Sequence, residues 1–164
     1  PETLKVASSI VKPLVSTEHA FANVIIAMNK IFVESIATKK LKSFIKQNFK
    51  SVKVDNLGSL KILQLWIENC LNVTFAGAVV SPLFVLYDLR IAMAHLQSNE
   101  RKEELLASAC KRLNLSDDNR DYIEIYDVLV NKLNETYSIL LESKFIFLFI
   151  NYEEEIWIIQ TAFC

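Results

Sequence analysis

Residues 118–142, DNRDYIEIYDVLVNKLNETYSILLE, carry the most regular helical pattern in this 164-residue chain. Their apolar side chains recur every three or four positions, which places them on one side of an α-helix. The residues on that side are Tyr122, Ile125, Tyr126, Leu129, Leu133, Tyr137 and Leu140. We expect Asp117 or Asp118 to cap this helix, because a short acidic side chain accepts hydrogen bonds from the first free amides.

The same apolar spacing recurs in four stretches before this helix. These stretches are residues 17–37, 59–71, 82–96 and 100–113, and residues 55–58 mark a turn between the first two. The chain has only 2 glycines, whereas strand-rich domains need glycine in their turns and phosphate-binding loops need it for close backbone approach. The sequence therefore predicts an all-α fold, a bundle of four to five helices.

Two apolar stretches are less simple to assign. Residues 69–87 lack charged side chains over nearly the length of a membrane span. Polar residues interrupt the stretch, and a Ser-Pro pair at Ser81 and Pro82 is typical of a helix start. We therefore predict a helix end, a connector and a new helix here. The run FIFLFI at residues 145–150 fits a strand, a hairpin arm or a helix, so the structure of residues 145–164 stays open.

We expect one compact domain with three parts along the chain. Residues 1–58 form the N-terminal helices, residues 59–142 form a helical core, and residues 143–164 form an apolar C-terminal segment. The chain opens without an initiator methionine, so we expect it to be part of a longer protein with further domains. Apolar residues make up 52% of the chain, a high value that favours an additional buried surface such as an oligomer interface.

A row of lysines stands out against the nearly balanced overall charge of −1. Between Glu34 and Asp55 there is no acidic residue. If this stretch is helical, five of its lysines share one side of the helix. They are Lys39, Lys42, Lys46, Lys50 and Lys53. Such a row can bind a phosphate backbone or an anionic membrane surface, and the alternative is a lysine face that only interacts with solvent.

A second candidate site lies in the stretch LRIAMAHL at residues 89–96. On a helix, an apolar stripe that we call the leucine stripe takes one side, and its residues are Leu86, Leu89, Met93 and Leu96. Arg90 and His95 lie on the other side and border a patch of Tyr87, Ile91 and Ala94. A helix with such a face suits a contact with a second copy of the chain. An alternative is that Arg90 pairs with an acid such as Asp88 or Glu68 and that His95 is an ordinary helix-end histidine.

The string Leu-Arg-x-x-x-Ala-His late in a helical bundle resembles the motif of HEPN domains (higher eukaryotes and prokaryotes nucleotide-binding). The resemblance implies an all-α bundle, usually dimeric, with the motif helices of two protomers meeting in a cleft. It implies a metal-independent endoribonuclease of a toxin, antiphage or RNA-processing system, or else a non-catalytic dimerisation or protein-interaction module of a larger protein.

Under this interpretation Arg90 and His95 are the catalytic residues. His95 takes the proton of the RNA 2′-hydroxyl, and Arg90 stabilises the charge that develops on the phosphate. Tyr87 stacks on a base, and the five lysines guide the RNA strand. The expected partners are RNA and a second copy of the chain, and we do not expect the chain to bind a membrane.

The sequence offers no pattern for a metal or cofactor site. The 3 cysteines, Cys70, Cys110 and Cys164, have no zinc-like spacing and suit buried free thiols. We therefore expect no cofactor and no metal. Reduced thiols and the absence of an apparent signal peptide favour a cytoplasmic location.

Overall fold

The computed structural model describes residues 10–71, 73–94 and 98–150, with side chains described up to residue 143. Its α-helices are α1 (Glu18–Asn29), α2 (Thr38–Asn48), α3 (Ser59–Cys70), α4 (Ala76–Met93), α5 (Asn99–Arg112) and α6 (Tyr122–Ile150). A π-helical segment, Lys30–Glu34, follows α1 directly. The described residues contain no β-strand, which confirms the predicted all-α fold.

The C-terminal apolar run belongs to the longest helix. Residues 145–150 continue α6, whose backbone is helical from Tyr122 to Ile150. Of the three structures that the sequence left open for this run, the helix is therefore the one observed. The rest of the predicted apolar segment, residues 151–164, lies outside the described residues.

The chain divides into two compact units, and both α4 and α6 contribute to each. The first unit takes the described residues of Pro1–Glu34 and Pro82–Glu135, and the second takes those of Ser35–Ser81 and Thr136–Cys164. The predicted organisation into residues 1–58, 59–142 and 143–164 follows the order of the chain and stays a prediction.

The core of the first unit comes from α1, α4, α5 and the first half of α6. Its largest fully buried side chains are Phe21, Ile25, Leu83, Leu86, Leu89, Leu106, Ile125 and Leu129. The ring of Phe21 stacks on that of Tyr122 with the centroids 5.1 Å apart, so α1 meets the beginning of α6. Burial of these apolar surfaces supplies most of the stabilisation of such a unit.

In the second unit, α2 and α3 pack against each other. Leu41 and Ile45 of α2 are buried, as are Ile62 and Ile67 of α3. The apolar side of α2 is therefore used inside the unit, and its lysine-rich side is left outward.

A π-helical turn changes which residues of the first predicted stripe are buried. Phe21, Val24, Ile25 and Met28 are buried as expected. Beyond Asn29 the hydrogen bonds span one residue more, so the helical face rotates and Val33 is buried while Ile31 and Phe32 are only half-buried. The Asn29 side chain donates to Glu34 across the turn at 2.8 Å.

Pro82 lies inside α4, so the predicted helix start at Ser81 and Pro82 was wrong. The helix begins at Ala76, although the predicted helix end, connector and new helix within residues 69–87 are present. Proline has no amide hydrogen and weakens the preceding helical turn. The buried Thr136 hydroxyl of α6 donates to the Val79 carbonyl of that turn at 2.8 Å. This contact connects the helical turn before Pro82 to α6.

Asparagine takes the role of glycine where the described chain adopts a positive φ. The two such residues are Asn56 at 59° and Asn114 at 62°. Asn114 follows α5, and the amides of Asn114 and Leu115 bond to the carbonyls of Lys111 and Cys110. This is the Schellman arrangement that usually has glycine at the left-handed position. A chain with 2 glycines thus ends α5 with asparagine, the non-glycine residue that best tolerates this conformation.

The N-cap of α6 is Asp121, so the prediction of Asp117 or Asp118 was wrong. The Asp121 carboxylate accepts from the amides of Ile123 and Glu124 at 3.0 and 3.4 Å. It also accepts from the Ser16 hydroxyl at 2.9 Å, while Ser16 Oγ accepts from the Tyr122 amide. These bonds tie residues 10–17 to the start of α6. The Ser16 hydroxyl, followed by the two amides, lowers the pKa of Asp121.

This cap predicts a pH-dependent contribution to stability. Because the pKa of Asp121 is lower in the folded chain, its charge stabilises the fold above the unfolded-state pKa, and that contribution is lost as the pH falls through the folded value. We expect Asp121→Asn, which keeps an accepting oxygen, to lower the melting temperature at pH 7 and to differ progressively less from wild type towards pH 2. Thermal melts by circular dichroism measure this difference.

Asp118→Asn is the control for this measurement, because the Asp118 carboxylate accepts from Ser116 and not from an α6 amide. A difference between wild type and Asp121→Asn that stayed constant from pH 7 to 2 would show that the Asp121 charge does not contribute in this way.

Candidate functional site

The C-terminal part of α4 places Tyr87 and Arg90 on one side of the helix. They are three positions apart, so their side chains are neighbours, and Ile91 continues the same strip. Tyr87 is 41% exposed, and Arg90 and Ile91 are half-buried. The opposite side of α4 is fully buried through Leu86 and Leu89. Of the predicted patch, the structure thus describes Tyr87, Arg90 and Ile91, and all three are at least partly exposed.

The Asp88 carboxylate forms an ion pair with an arginine from another helix. The Arg112 Nη1 atom of α5 lies 2.7 Å from Asp88 Oδ2, and both side chains are about one-third exposed. An acid that sits beside Arg90 in sequence is thus neutralised by α5. The alternative that Arg90 pairs with Asp88 is not what the structure shows.

Arg90 itself makes no ion pair within the described part of the chain. Its position in the last turn of α4 is favourable for a cation, because the free carbonyls of a helix end carry partial negative charge. The Arg90 carbonyl accepts from the Ala94 amide as the helix closes. The guanidinium therefore keeps its donors for a further partner.

His95, the second predicted catalytic residue, lies outside the described residues. Of the Arg90–His95 motif, the structure describes residues 90–94, and α4 ends at Met93. Of the three residues predicted for the Arg/His site, the structure describes Tyr87 and Arg90.

The predicted lysine row is only partly helical. Helix α2 ends at Asn48, so Lys39, Lys42 and Lys46 lie on it, whereas Lys50 and Lys53 follow it. The three helical lysines lie within about 60° of one another around the axis. The expectation that all five share one helix was wrong, because the backbone turns after Phe49, where the Val52 amide bonds to the Phe49 carbonyl.

Asp55 is the acid that faces these lysines. Its Oδ1 lies 2.7 Å from the Lys46 ammonium in an exposed ion pair. The hydrogen bond and charge of Lys46, together with the more distant charge of Lys42, lower the pKa of Asp55. This contact shows that the segment after α2 returns to the C-terminal end of the helix.

The two predicted groups of site residues belong to different units. Tyr87 and Arg90 belong to the first unit, and all five lysines belong to the second. The partners Arg112 and Asp55 were not predicted from the sequence. Arg112 is 24 positions from Asp88, and such a distance leaves no local pattern. Asp55 had a signal, since it is the first acid after the acid-free stretch.

A metal centre is not indicated by the geometry of the described residues, where no three His, Cys, Asp or Glu side chains come together. Cys110 is buried, and burial raises the pKa of its thiol. A thiol of this kind is a poor nucleophile at neutral pH.

Two described segments are long and apolar enough to cross a membrane by length and composition alone. They are Glu18–Asn48, which combines α1, the π-helical segment and α2, and Ala76–Met93, which is α4. Core helices have the same composition, and α4 buries Leu83, Leu86 and Leu89 within its unit. The expectation that the chain does not enter a membrane stays a prediction.

Comparisons of the chain with protein-family models, with curated proteins and with solved structures found no match. The HEPN resemblance therefore depends on the Arg90–His95 spacing and on the helical fold, and it stays a prediction.

Proposed function

We propose that this chain is a HEPN-like helical domain that cleaves RNA without a metal ion, with Arg90 and His95 as its catalytic residues. The observation that supports the proposal is the state of Arg90. It is partly exposed, it has no ion-pair partner among the described residues, and the adjacent acid is engaged by Arg112. An arginine whose donors are not used within the fold suits a phosphate, because its planar fork matches two phosphate oxygens.

The chemistry requires a base and a fixed cation. His95 removes the proton of the 2′-hydroxyl, whose oxygen attacks the adjacent phosphorus. The bond from phosphorus to the 5′-oxygen breaks, and the products are a 2′,3′-cyclic phosphate and a 5′-hydroxyl that takes its proton from solvent. Arg90 stabilises the additional negative charge on the phosphorane oxygens. Tyr87, one turn before Arg90, offers an exposed ring on which a base stacks.

Cleavage assays with matched variants test this proposal. We expect wild-type chain to cut single-stranded RNA in the presence of EDTA and to leave 2′-deoxy substrate intact. Arg90→Ala and His95→Ala should each lower the rate by about 10²-fold or more, the usual effect of losing a charge-stabilising donor or a general base. Denaturing gels measure the rate, and mass spectrometry identifies the cyclic phosphate.

The chain offers a control for each substitution. Arg101 is exposed on α5 and pairs with Glu104, and His19 is exposed on α1. Arg101→Ala and His19→Ala repeat the chemical changes away from the strip and should cleave at the wild-type rate. Intact RNA after long incubation with wild-type chain, or equal rates in all four variants, would contradict the proposed activity.

The proposal includes a homodimer in which the strip of α4 meets its counterpart on a second copy. Tyr87 and Ile91 provide apolar surface beside Arg90. We expect sedimentation velocity at tens of micromolar to give twice the mass of one chain, and Ile91→Asp to shift the chain towards the monomer because it places a charge in the contact.

Ile139→Asp is the matched control for the dimer. Ile139 is 39% exposed on α6 in the second unit, so the same substitution there should leave the mass unchanged. A wild-type chain that sediments as a monomer at these concentrations would rule out the dimer.

A further inference from the structure

We propose that the lysine surface, formed by Lys39, Lys42, Lys46, Lys50 and Lys53, binds the phosphate backbone of RNA and that Asp55 weakens this binding by holding Lys46. The inference rests on the proposed function for the identity of the polyanion. It adds a second RNA-binding surface, located in the second unit, and names the residue that regulates its charge.

The charge of this region is concentrated. Residues 35–54 contain six lysines and no acid, although the whole chain has a formal charge of −1. Lys39, Lys46, Lys50 and Lys53 are exposed, and Lys42 is half-buried. From Lys39 to Lys46 the row extends about 10 Å along α2, and Lys50 and Lys53 lengthen it beyond the helix. An extended row of cations suits a chain-like polyanion, which releases counterions along its length when it binds.

The packing of α2 favours RNA over a membrane surface. A helix that binds at a membrane interface puts its apolar side into the lipid. The apolar side of α2 is already used, because Leu41 is 3% exposed and Ile45 is fully buried in a helix that packs against α3. The exposed residues of α2 are lysine, serine, glutamine and asparagine, and such side chains contact phosphates without inserting into a bilayer.

The residue types indicate binding without base selectivity. All five cations are lysines, each a compact charge that contacts one phosphate at a time. Contacts of this kind position a strand and carry no sequence information. The lysine surface therefore holds RNA of any sequence, and any selectivity comes from elsewhere in the chain.

The Asp55 carboxylate competes with RNA phosphates for the Lys46 ammonium. It accepts from Lys46 at 2.7 Å, and both partners are more than half exposed. Exposed ion pairs contribute little to stability, so a phosphate can replace the Asp55 carboxylate at Lys46 without disturbing the fold. Removing the negative charge of Asp55 should then strengthen RNA binding by making Lys46 available.

Fluorescence anisotropy with labelled poly(U) tests the inference, using the full chain with His95→Ala so that the RNA stays intact. Combined substitution of Lys39, Lys50 and Lys53 to glutamine should weaken binding about 10- to 100-fold and make the salt dependence less steep by about 2 in log–log slope. Asp55→Asn should strengthen binding a few-fold and steepen the slope by about 0.7.

The control variant carries glutamine at Lys30, Lys61 and Lys111, which are exposed outside the lysine surface. It also loses three positive charges, and it should bind poly(U) much more tightly than the variant substituted at Lys39, Lys50 and Lys53. Equal loss in both triple variants would overturn the inference, since net charge alone would then explain binding. So would an Asp55→Asn chain that binds no better than its parent.

Sedimentation with vesicles of phosphatidylcholine and phosphatidylserine tests the alternative that the lysine surface binds a membrane. Lysine-dependent sedimentation with these vesicles, together with RNA binding that the lysine substitutions leave unchanged, would overturn the inference in favour of a membrane surface. The outcome is also separable from the proposed nuclease. If the chain binds poly(U) through the lysines but does not cut RNA, the lysine surface is supported and the nuclease activity is contradicted. If the chain cuts RNA and the lysine substitutions change neither binding nor cleavage, the nuclease activity is supported and the lysine surface is contradicted.

Discussion

The ion pair between Arg112 and Asp88 engages the acid that lies nearest to Arg90 in the sequence. It joins the end of α5 to α4 and neutralises an acid that lies two positions from Arg90. Arg90 is half-buried beside Tyr87, on a helix whose opposite side is fully buried. It makes no ion pair among the described residues.

The rest of the fold keeps α4 in place by unusual means. Pro82 interrupts its hydrogen bonds, and a threonine hydroxyl from α6 bonds to the turn that the proline weakens. Asparagine rather than glycine ends α5, so that Arg112 comes at the last helical position. Asp121 and Ser16 fix the start of α6. Short polar side chains thus do at the helix ends what glycine does in many other proteins.

The sequence predicted the helices well and their ends less well. Apolar periodicity identified the buried residues Leu86 and Leu89 of α4 and Ile125 and Leu129 of α6, because a repeat over many turns is a strong signal. Caps depend on single residues, and several aspartates precede α6, so Asp121 was not distinguishable from Asp117 or Asp118. The π-helical turn after Asn29 has no sequence pattern of its own and shifted burial from Ile31 to Val33.

The candidate site was predictable in part. The lysines on α2 and the strip of Tyr87 and Arg90 follow from helical geometry, and the structure contains both. The ion pairs that set the local charge around these residues do not follow from helical geometry. Arg112 reaches Asp88 from 24 positions away, and Asp55 reaches Lys46 only because the chain turns after Phe49. Such contacts require the tertiary fold.

The central claim is that the Arg90 guanidinium binds an RNA phosphate. The most direct measurement is the NMR signal of its Nε–H group, assigned with Arg90→Lys, during titration with 2′-O-methyl RNA that cannot be cleaved. The chain has four arginines, so the signals are few. We expect a saturable shift of the Arg90 signal while the Arg101 signal stays in place. An Arg90 signal that is unchanged when RNA binding is complete would contradict it.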